Sequence, residues 1–427
     1  MEQRIQSDPP RKAEPVDLSS PSSGHAPLSV GAFVLMLAGL MSVNALATDV
    51  MLPAFPDIAV ALGGIEITRM QTIITAYMLG FGLSQLVVGF LADRFGRRPV
   101  LLGGLAIYSA AGLLMAGADD FSMLLATRFV QGFGSGAPRV VAQAAIRDCY
   151  EGRRMARIMS LVMTVFMAVP VLAPSLGQLI LLVSSWRWVF GSLAIVGIAL
   201  MLVSALYFPE TLPLARRRAI SWPAVGAALR SVFLNRQTAG YTLAAGTFFG
   251  ALFGFIGSVQ PVMVDLFGFG LWFPLVFAVL ALAMSASSFV NASLVERFGM
   301  RVLSHWATTG YSLISAAMFA LALFGRLDAW TFLPMMAVNM LLVGLVFSNF
   351  NALAMEPQGH VAGVASSFVS AVTVVLGATI GFVIGDNYDG TIVPLSAGFA
   401  GCGLSTLVIL FITERGRLFR PHGARHR

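Results

Sequence analysis

Apart from Arg139, two charged residues interrupt the long apolar stretches of this 427-residue sequence. Asp49 lies near the end of the first apolar stretch, and Arg128 lies inside the fourth. A charge within such a stretch is costly to bury, so each of the two residues is a functional hypothesis. Burial favours the neutral form of a carboxyl group, whereas a nearby arginine favours the ionised form. The pattern indicates that Asp49 can take up and release a proton, and that Arg128 could be its ionic partner.

Other placements of the same two residues stay open. Asp49 could face a ligand, or it could cap its helix in water, since Pro53 and Pro56 follow closely. Arg128 could also face a ligand, or it could bind backbone carbonyl groups of the first apolar stretch. Arg128 lies about 10 Å, and Asp49 roughly 14 Å, from the outer ends of their predicted helices, so the two depths are comparable.

The composition places the chain in a bilayer rather than in water. Hydrophobic residues make up 57% of it and charged residues only 11%, whereas about a quarter of a soluble domain is charged. The net charge of +7 does not indicate nucleic-acid binding, because the arginines occur in short clusters between the apolar stretches. Cys149 and Cys402 are isolated and are not spaced like metal ligands. We therefore expect a membrane protein that needs no metal or other cofactor.

Apolar stretches that are long enough to cross the bilayer as helices set the predicted fold. A helix of about 20 residues crosses the roughly 30 Å hydrocarbon core. Twelve such spans are predicted, at residues 30–52, 72–92, 99–117, 122–146, 158–183, 188–207, 239–264, 272–295, 302–325, 330–352, 361–384 and 393–413. The arginines concentrate in the loops after even-numbered spans, so the positive-inside rule puts both termini in the cytoplasm. The predicted fold class is an all-α integral membrane protein.

The same pattern divides the chain into five segments. A polar N-terminal tail, which lacks the features of a cleavable signal, covers residues 1–28 and precedes a bundle of six helices over residues 29–207. A cytoplasmic linker over residues 208–238 leads to a second bundle of six helices over residues 239–413. A basic tail over residues 414–427 follows the last span.

A repeated loop motif links the two predicted bundles. Residues 91–98 read Leu-Ala-Asp-Arg-Phe-Gly-Arg-Arg, and residues 294–301 read Leu-Val-Glu-Arg-Phe-Gly-Met-Arg. The first copy lies between the second and third spans, and the other lies between the eighth and ninth. The same marker in corresponding loops of two six-span halves is typical of a parallel-repeat transporter.

Five segments resemble the major facilitator superfamily. Gly89–Arg98 matches its loop signature G-x-L-x-D-R-x-G-R-R, and Arg128–Gly136 matches the pattern R-x-x-Q-G-x-G of its fourth span. Ala168–Gly177 resembles the antiporter signature of its fifth span. Thr48–Pro56 and residues 355–367 look like the Bcr/CflA branch, which includes bicyclomycin and chloramphenicol exporters. The resemblance covers most of the chain. It implies two pseudo-symmetric six-helix bundles that exchange drugs for protons across a bacterial inner (plasma) membrane.

The fifth span departs from the antiporter signature in part. Three expected glycines are replaced, by Val169, Ala173 and Gln178. Pro174 and Gly177 keep their places, and Pro170 adds a second interruption of the helical hydrogen-bond pattern. The antiporter interpretation therefore rests on Pro170, Pro174 and Gly177.

The resemblance also implies a latch at the cytoplasmic end of the second span. There Asp93 would hold the two bundles together in the outward-facing state. It would do so through an arginine and through the positive N-terminus of the eleventh span, near residues 362–364. Arg139 is a candidate for that arginine, and Gly96 permits the tight reversal between spans. The other basic residues of the loop could belong to the latch or merely anchor the loop; they are Arg94, Arg97 and Arg98.

The predicted substrate cavity is mostly apolar with a few polar groups, which suits lipophilic drugs better than sugars. Its candidate lining residues are Asn44, Tyr77, Gln131, Phe248, Phe255, Gln260, Asn349 and Asn351. A substrate that competes with a proton at Asp49 would couple export to proton entry. The alternative on the same fold is uniport or symport of an endogenous metabolite.

Enzymes and ATP-driven pumps are disfavoured, because the sequence holds neither a catalytic cluster nor a G-x-x-x-x-G-K nucleotide loop. The expected partners are a small amphipathic substrate, protons and the lipid bilayer. We expect the protein to act as a monomer.

Overall fold

Helices form the regular structure of residues 28–217 and 222–419, which are the residues that the computed structural model describes. The first half contains α1 Val30–Asp49, α2 Phe55–Ala61, α3 Gln71–Phe95, α4 Arg97–Ala116, α5 Phe121–Cys149, α6 Gly152–Val183 and α7 Arg187–Tyr207. The second half contains α8 Trp222–Leu234, α9 Arg236–Pro261, α10 Phe273–Phe298, α11 Met300–Leu323, α12 Ala329–Met355, α13 Ala362–Asp386 and α14 Val393–Thr413. Residues 1–27 and 420–427, most of the two predicted tails, lie outside the described residues.

The long helices correspond to the predicted spans. Among the described residues, eleven helices are long and apolar enough to cross a membrane, with α1 and α2 counted as one. The twelfth long helix, α5, has 29 residues, but Arg128, Arg139 and several glycines lower its hydropathy. The predicted all-α membrane fold is therefore confirmed. Helix ends differ from the predicted ones by a few residues, as at α6, which begins at Gly152.

Each half of the chain repeats one packing pattern. In the first half α3 packs on α5, α4 on α5 and α7, and α1 on α6. In the second half the matching pairs are α10 on α12, α11 on α12 and α14, and α9 on α13. The two loop motifs occupy corresponding positions, and both turn at a glycine with positive φ, which is 100° at Gly96 and 79° at Gly299. Only glycine adopts this backbone conformation readily, so the motif requires it.

Two helix pairs join the bundles. The longer contact runs between α3 and α13, and the shorter one between α6 and α10. The segment between the bundles is partly helical, because α8 lies within the predicted linker and packs on α9 and α13.

Candidate functional site

Asp49 is the last residue of α1. A turn, the short 3₁₀ segment Leu52–Ala54 and α2 follow it, since Pro53 and Pro56 have no N–H to continue the helical hydrogen bonds. Asp49 is only 5% exposed. Within the described ranges its carboxyl group makes no hydrogen bond or ion pair. In this structure Asp49 is thus neither a cap in water nor the ionic partner of Arg128.

Arg128 is fully buried on α5, where it binds the end of α1. Its Nη2 donates to the backbone carbonyl oxygen of Ala47 at 2.8 Å and contacts the sulfur of Met51. Its Nη1 donates to Gln131 Oε1 at 2.6 Å. The sequence left open whether Arg128 binds Asp49, a ligand or backbone carbonyl groups of the first span. In this structure it binds a backbone carbonyl group of that span.

Aromatic rings enclose the Arg128 guanidinium. Its central carbon lies 5.0 Å from the centre of the Tyr77 ring and 5.3 Å from that of Phe190. Arg128 thus contacts Tyr77, Gln131 and the end of α1 that carries Asp49. We call Asp49, Tyr77, Arg128 and Gln131 the polar cluster.

Several buried polar atoms of the predicted lining residues have no hydrogen-bond partner in the described part of the chain. They are Asn44 Oδ1, Tyr77 Oη, Gln131 Nε2 and Gln260 Oε1, and the neighbouring Arg128 Nε also has none. A buried polar atom without a partner costs about 1–3 kcal/mol. Such atoms are expected where water or a ligand completes a site.

The lining residues predicted in the second half pack mainly within their own bundle. Phe248 lies against Tyr311, with ring centres 4.6 Å apart, and Phe255 stacks on Phe277 at 6.4 Å. These rings belong to α9, α10 and α11. Two of the predicted aromatic lining residues are therefore part of the core of the second bundle in this structure.

The two predicted asparagines lie on opposite sides of α12. Asn349 is buried and donates to Asn291 Oδ1 at 2.6 Å and to the carbonyl oxygen of Leu345 at 2.8 Å. Asn351 is exposed. Because residues two positions apart point in nearly opposite directions on a helix, Asn349 and Asn351 cannot line one cavity in this conformation.

The predicted motif of the fifth span packs beside Asp49. α6 continues through Pro170 and Pro174 without a break. A Cβ atom added to Gly177 would clash with the backbone carbonyl oxygen of Val50, the residue after Asp49. The glycine therefore allows α6 to approach the break in α1 that positions the carboxyl group.

Asp93 lies in an ionic network at the ends of three helices, on the side that is predicted to face the cytoplasm. Its Oδ1 is 2.7 Å from Arg97 Nη1, and Arg97 Nε donates to Asp148 Oδ2 at 3.1 Å. Asp148 also accepts a hydrogen bond from the Thr211 hydroxyl at 3.1 Å. The network connects α3, α4 and α5 to the linker.

The predicted pairing of Asp93 with Arg139 is not found. Arg139 is half-buried on α5 and lies over Phe81, 5.5 Å from the ring centre. The i,i+4 spacing of Asp93 and Arg97 brings them together across the turn between α3 and α4, whereas Arg139 lies deeper in the membrane. Arg94 lies over its neighbour Phe95 at 5.4 Å and takes no part in the network.

Glu210, which sequence reasoning missed, closes the N-terminus of α4. Its carboxylate accepts from the backbone N–H of Arg97 at 2.9 Å and of Arg98 at 3.3 Å, and it pairs with Arg217 at 3.6 Å. The Arg98 side chain donates to the carbonyl oxygen of Ala205. In this structure Arg98 therefore anchors the motif loop to the end of α7. The only signal in the sequence was an acid that directly follows the sixth span.

A cavity of about 110 Å³ separates α3 and α5 from the start of α13 on the side that is predicted to face the cytoplasm. We call it the cytoplasmic cavity; its walls include Gln85, Asp93, Arg97, Arg147, Gly363 and Val364. Asp93, Arg97 and the start of α13 therefore face one space, but Asp93 is held by Arg97 rather than by the N-terminus of α13.

The opposite end of the same interface, which is predicted to face the periplasm, is closed by Gln71, a second residue that sequence reasoning missed. Gln71 is 3% exposed at the start of α3, and its Nε2 donates to the carbonyl oxygen of Phe382 on α13 at 2.5 Å. Glycines on both partner helices, Gly257 and Gly385, leave room for its side chain. A glutamine at a span end carries no recognisable sequence signal.

Known proteins resemble this chain over most of its length. The family model described as Major Facilitator Superfamily matches residues 37–382. The "Uncharacterized MFS-type transporter YdgK" of Bacillus subtilis (strain 168) is 31% identical over 86% of this chain and 91% of its own length. The "Bicyclomycin resistance protein homolog" of Haemophilus influenzae is 28% identical over 90% of this chain and 96% of its own.

Two further similarities extend the comparison. The "Multidrug resistance protein MdtL" of Klebsiella pneumoniae (strain 342) is 29% identical over 90% of this chain and 96% of its own. The crystal structure of the human organic anion transporter MFSD10 (TETRAN) matches the fold with a TM-score of 0.65 and 18% identity, covering 90% of this chain and 100% of that one. The chain therefore belongs to the Major Facilitator Superfamily, as its loop motifs and repeated six-helix halves predicted.

Proposed function

We propose that this transporter exports small amphipathic compounds in exchange for protons. The observation that carries the proposal is the Asp49 carboxyl group, which is buried at the end of α1 and makes no hydrogen bond or ion pair among the described residues. The similarity to a bicyclomycin resistance homologue and to a multidrug resistance protein supports the substrate class.

The polar cluster supplies the proposed coupling. A carboxyl group in surroundings of low polarity is stable when neutral, so Asp49 holds a proton until a substrate or water solvates it. Arg128 is fixed by Ala47 and Gln131 and does not neutralise Asp49. Its charge therefore stays available to stabilise the ionised form of Asp49 once the proton leaves. Proton and substrate would then occupy the site alternately.

Alternating access would use the interface between α3 and α13. In this structure Gln71 closes its periplasmic end, and the cytoplasmic cavity separates its other end. In the outward-facing state Asp93 would move from Arg97 to the free N–H groups at the start of α13, because these carry partial positive charge. The movement that brings Asp93 to the start of α13 would close this end of the interface and open the end at Gln71.

The placement of the termini belongs to this proposal. The loops after even-numbered spans carry most of the arginines, which supports cytoplasmic termini in a bacterial inner membrane. We propose that one chain, with its two bundles, is the working unit.

Transport assays in inverted membrane vesicles test the proposal. Uptake of ethidium and of chloramphenicol is measured with and without an imposed pH gradient, for the wild type, Asp49→Asn, Asp49→Glu and Asp57→Asn. Gradient-driven uptake should fall to the level of empty vesicles in Asp49→Asn and persist in part in Asp49→Glu. Asp57→Asn changes an exposed acid on α2 and should transport normally.

Each contrary outcome has a definite meaning. Transport that survives Asp49→Asn would place proton coupling elsewhere. Transport of either compound without dependence on the gradient would favour uniport. If the wild type carries neither compound, drug export is wrong, and symport or uniport of a metabolite becomes the working hypothesis.

A further inference from the structure

One face of α5 carries polar side chains along the middle of the helix. Arg128, Gln131, Ser135 and Arg139 follow one another at spacings of three or four residues, which places them on the same side of a helix. We call these four residues the α5 stripe. Its two arginines are about 16 Å apart along the helix axis. Arg128 and Gln131 belong to the polar cluster beside the end of α1, so Arg139 marks the other end of the stripe.

Arg139 keeps its hydrogen-bond donors unused. It is half-buried and lies over Phe81, 5.5 Å from the ring centre. Within the described ranges its side chain makes no ion pair or hydrogen bond. An aromatic ring attracts the positive charge of a guanidinium group but accepts none of the N–H groups at its edge. Arg128 Nε is enclosed without a partner, whereas no nitrogen of Arg139 is, so the Arg139 guanidinium has open space beside it.

The cytoplasmic cavity reaches the same part of α5. Val140, the residue after Arg139, lines the cavity, and so does Gln143, one helical turn further along. On α3 the cavity is lined by Gln85, one turn after the ring that Arg139 covers. Arg139 therefore lies between the cavity and the polar cluster. A compound that enters from the side predicted to face the cytoplasm meets Arg139 before it meets Asp49.

The charges that lie within the apolar stretches of the first bundle do not balance. They are Asp49, Arg128 and Arg139, two positive groups against a single acid. The acid itself is neutral whenever it carries the proton of the proposed exchange. Because electrostatic interactions are much stronger in surroundings of low polarity than in water, a cation in this space meets net repulsion. An acceptor oxygen instead gains a hydrogen bond from a charged donor.

We propose that Arg139 selects the substrate by charge. The substrate places an acceptor oxygen, such as that of a carbonyl, nitro or carboxylate group, on the Arg139 guanidinium and carries no positive charge. Permanent cations are rejected by Arg139 together with Arg128, since like charges side by side disfavour the wrong ligand. This inference rests on the export function proposed above and narrows its substrate class. Asp49 keeps the proton, and Arg139 determines specificity.

Uptake into inverted membrane vesicles under an imposed pH gradient tests the inference. Chloramphenicol is neutral and has nitro and carbonyl oxygens, whereas ethidium is a permanent cation. The wild type should take up chloramphenicol and leave ethidium at the level of empty vesicles. Arg139→Gln should raise the half-saturating concentration of chloramphenicol about tenfold, because a hydrogen bond from a charged donor is lost. It should also admit ethidium, because the charges of Arg128 and ionised Asp49 then cancel.

Two further variants separate charge selection from a structural part. Arg139→Lys keeps the charge but loses the flat fork, so it should still exclude ethidium while binding chloramphenicol more weakly. Arg69→Gln is the matched control, because Arg69 also lies over a phenylalanine ring, that of Phe121 at 5.8 Å, but is exposed. It should handle both compounds like the wild type. Rates are normalised to the amount of protein in the vesicles.

The outcomes distinguish this inference from the export proposal. If the wild type takes up ethidium as readily as chloramphenicol, charge selection is overturned while drug export stands. If Arg139→Gln lowers chloramphenicol uptake without admitting ethidium, Arg139 is merely structural and the inference is again overturned. If the wild type takes up neither compound, drug export fails and this inference fails with it.

Discussion

Arg128 stabilises the N-terminal bundle in a way that no other side chain of similar length can. Its two terminal nitrogens bind the Ala47 carbonyl and Gln131, and its flat guanidinium lies between Tyr77 and Phe190. A lysine carries the same charge but cannot form this fork or stack in the same way. The structural part that Arg128 plays is therefore separable from the proton-coupling part proposed for Asp49.

We predict that Arg128→Lys lowers the free energy of unfolding by about 1–3 kcal/mol, because a buried acceptor loses its donor. Denaturant titration of the protein in micelles, followed by tryptophan fluorescence, measures the change. Arg69→Lys is the matched control, since Arg69 is exposed at the membrane surface and its substitution should cost under about 0.5 kcal/mol. Equal stability of the two variants would contradict the anchoring part assigned to Arg128.

At the residue scale, the sequence identifies charged residues but not their partners. Asp49 and Arg128 were predicted from their cost in an apolar stretch, and both are buried as expected. The acceptor of Arg128, the backbone carbonyl of Ala47, could not be found in the sequence, because every residue has such a group. Gln71 was missed for a related reason: its partner on α13 is also a backbone carbonyl.

The crossing of α1 and α6 determines where Asp49 points. α1 ends at Asp49, and Gly177 on α6 faces the carbonyl oxygen of the next residue, Val50. The antiporter-type motif therefore contacts the helix that carries the proposed proton site. A side chain at position 177 would force the two helices apart and move Asp49 relative to Tyr77.

We predict that Gly177→Ala lowers stability by about 1–3 kcal/mol through overpacking and reduces gradient-driven transport. Gly103→Ala is the matched control, because Gly103 is also helical but has no atom within 4 Å of an added Cβ. In a helix the control should be neutral or slightly stabilising, by up to about 1 kcal/mol. Thermal unfolding and vesicle uptake of both variants give the comparison. If Gly177→Ala behaves like the control, the close approach of α1 and α6 is not required.

The sequence predicted helices well where the length of an apolar stretch sets their ends. It predicted them poorly where packing against other helices sets them. The last span was predicted to cover residues 393–413, and α14 is Val393–Thr413. α6 begins six residues before its predicted start because its first turns are polar and lie beyond the apolar stretch. α8 was predicted as part of a linker, since its 13 residues are too few to cross a bilayer.

The two halves of the molecule carry matching ionic networks at the helix ends that are predicted to face the cytoplasm. In the first half Arg97 lies between Asp93 and Asp148. In the second half Arg301 pairs with Glu414 at 3.5 Å and with Glu356 at 3.8 Å. Each network ties helices of one bundle together. We therefore expect conformational change to take place mainly at the surfaces between the bundles.

Gln71 is the side chain that we expect to hold these surfaces together on the periplasmic side. It donates across the interface to Phe382, and its side chain fits between Gly257 and Gly385. A hydrogen bond of this kind contributes about 0.5–1.5 kcal/mol. Its loss should therefore raise the ratio of outward-open to closed molecules by about 2- to 13-fold.

We predict this shift for Gln71→Ala. The reporter is a cysteine introduced at Ser258 (Ser258→Cys), a buried position near the periplasmic end of α9. Its rate of labelling by a membrane-impermeant thiol reagent is measured in intact cells. Both native cysteines are replaced by serine beforehand. Gly385→Ala should raise the labelling rate in the same direction, because an added Cβ takes the space of the Gln71 amide. Gly401→Ala on α14 has open space around it and should leave the rate unchanged. A rate that stays constant in Gln71→Ala would show that other contacts between α3 and α13 keep the periplasmic side closed.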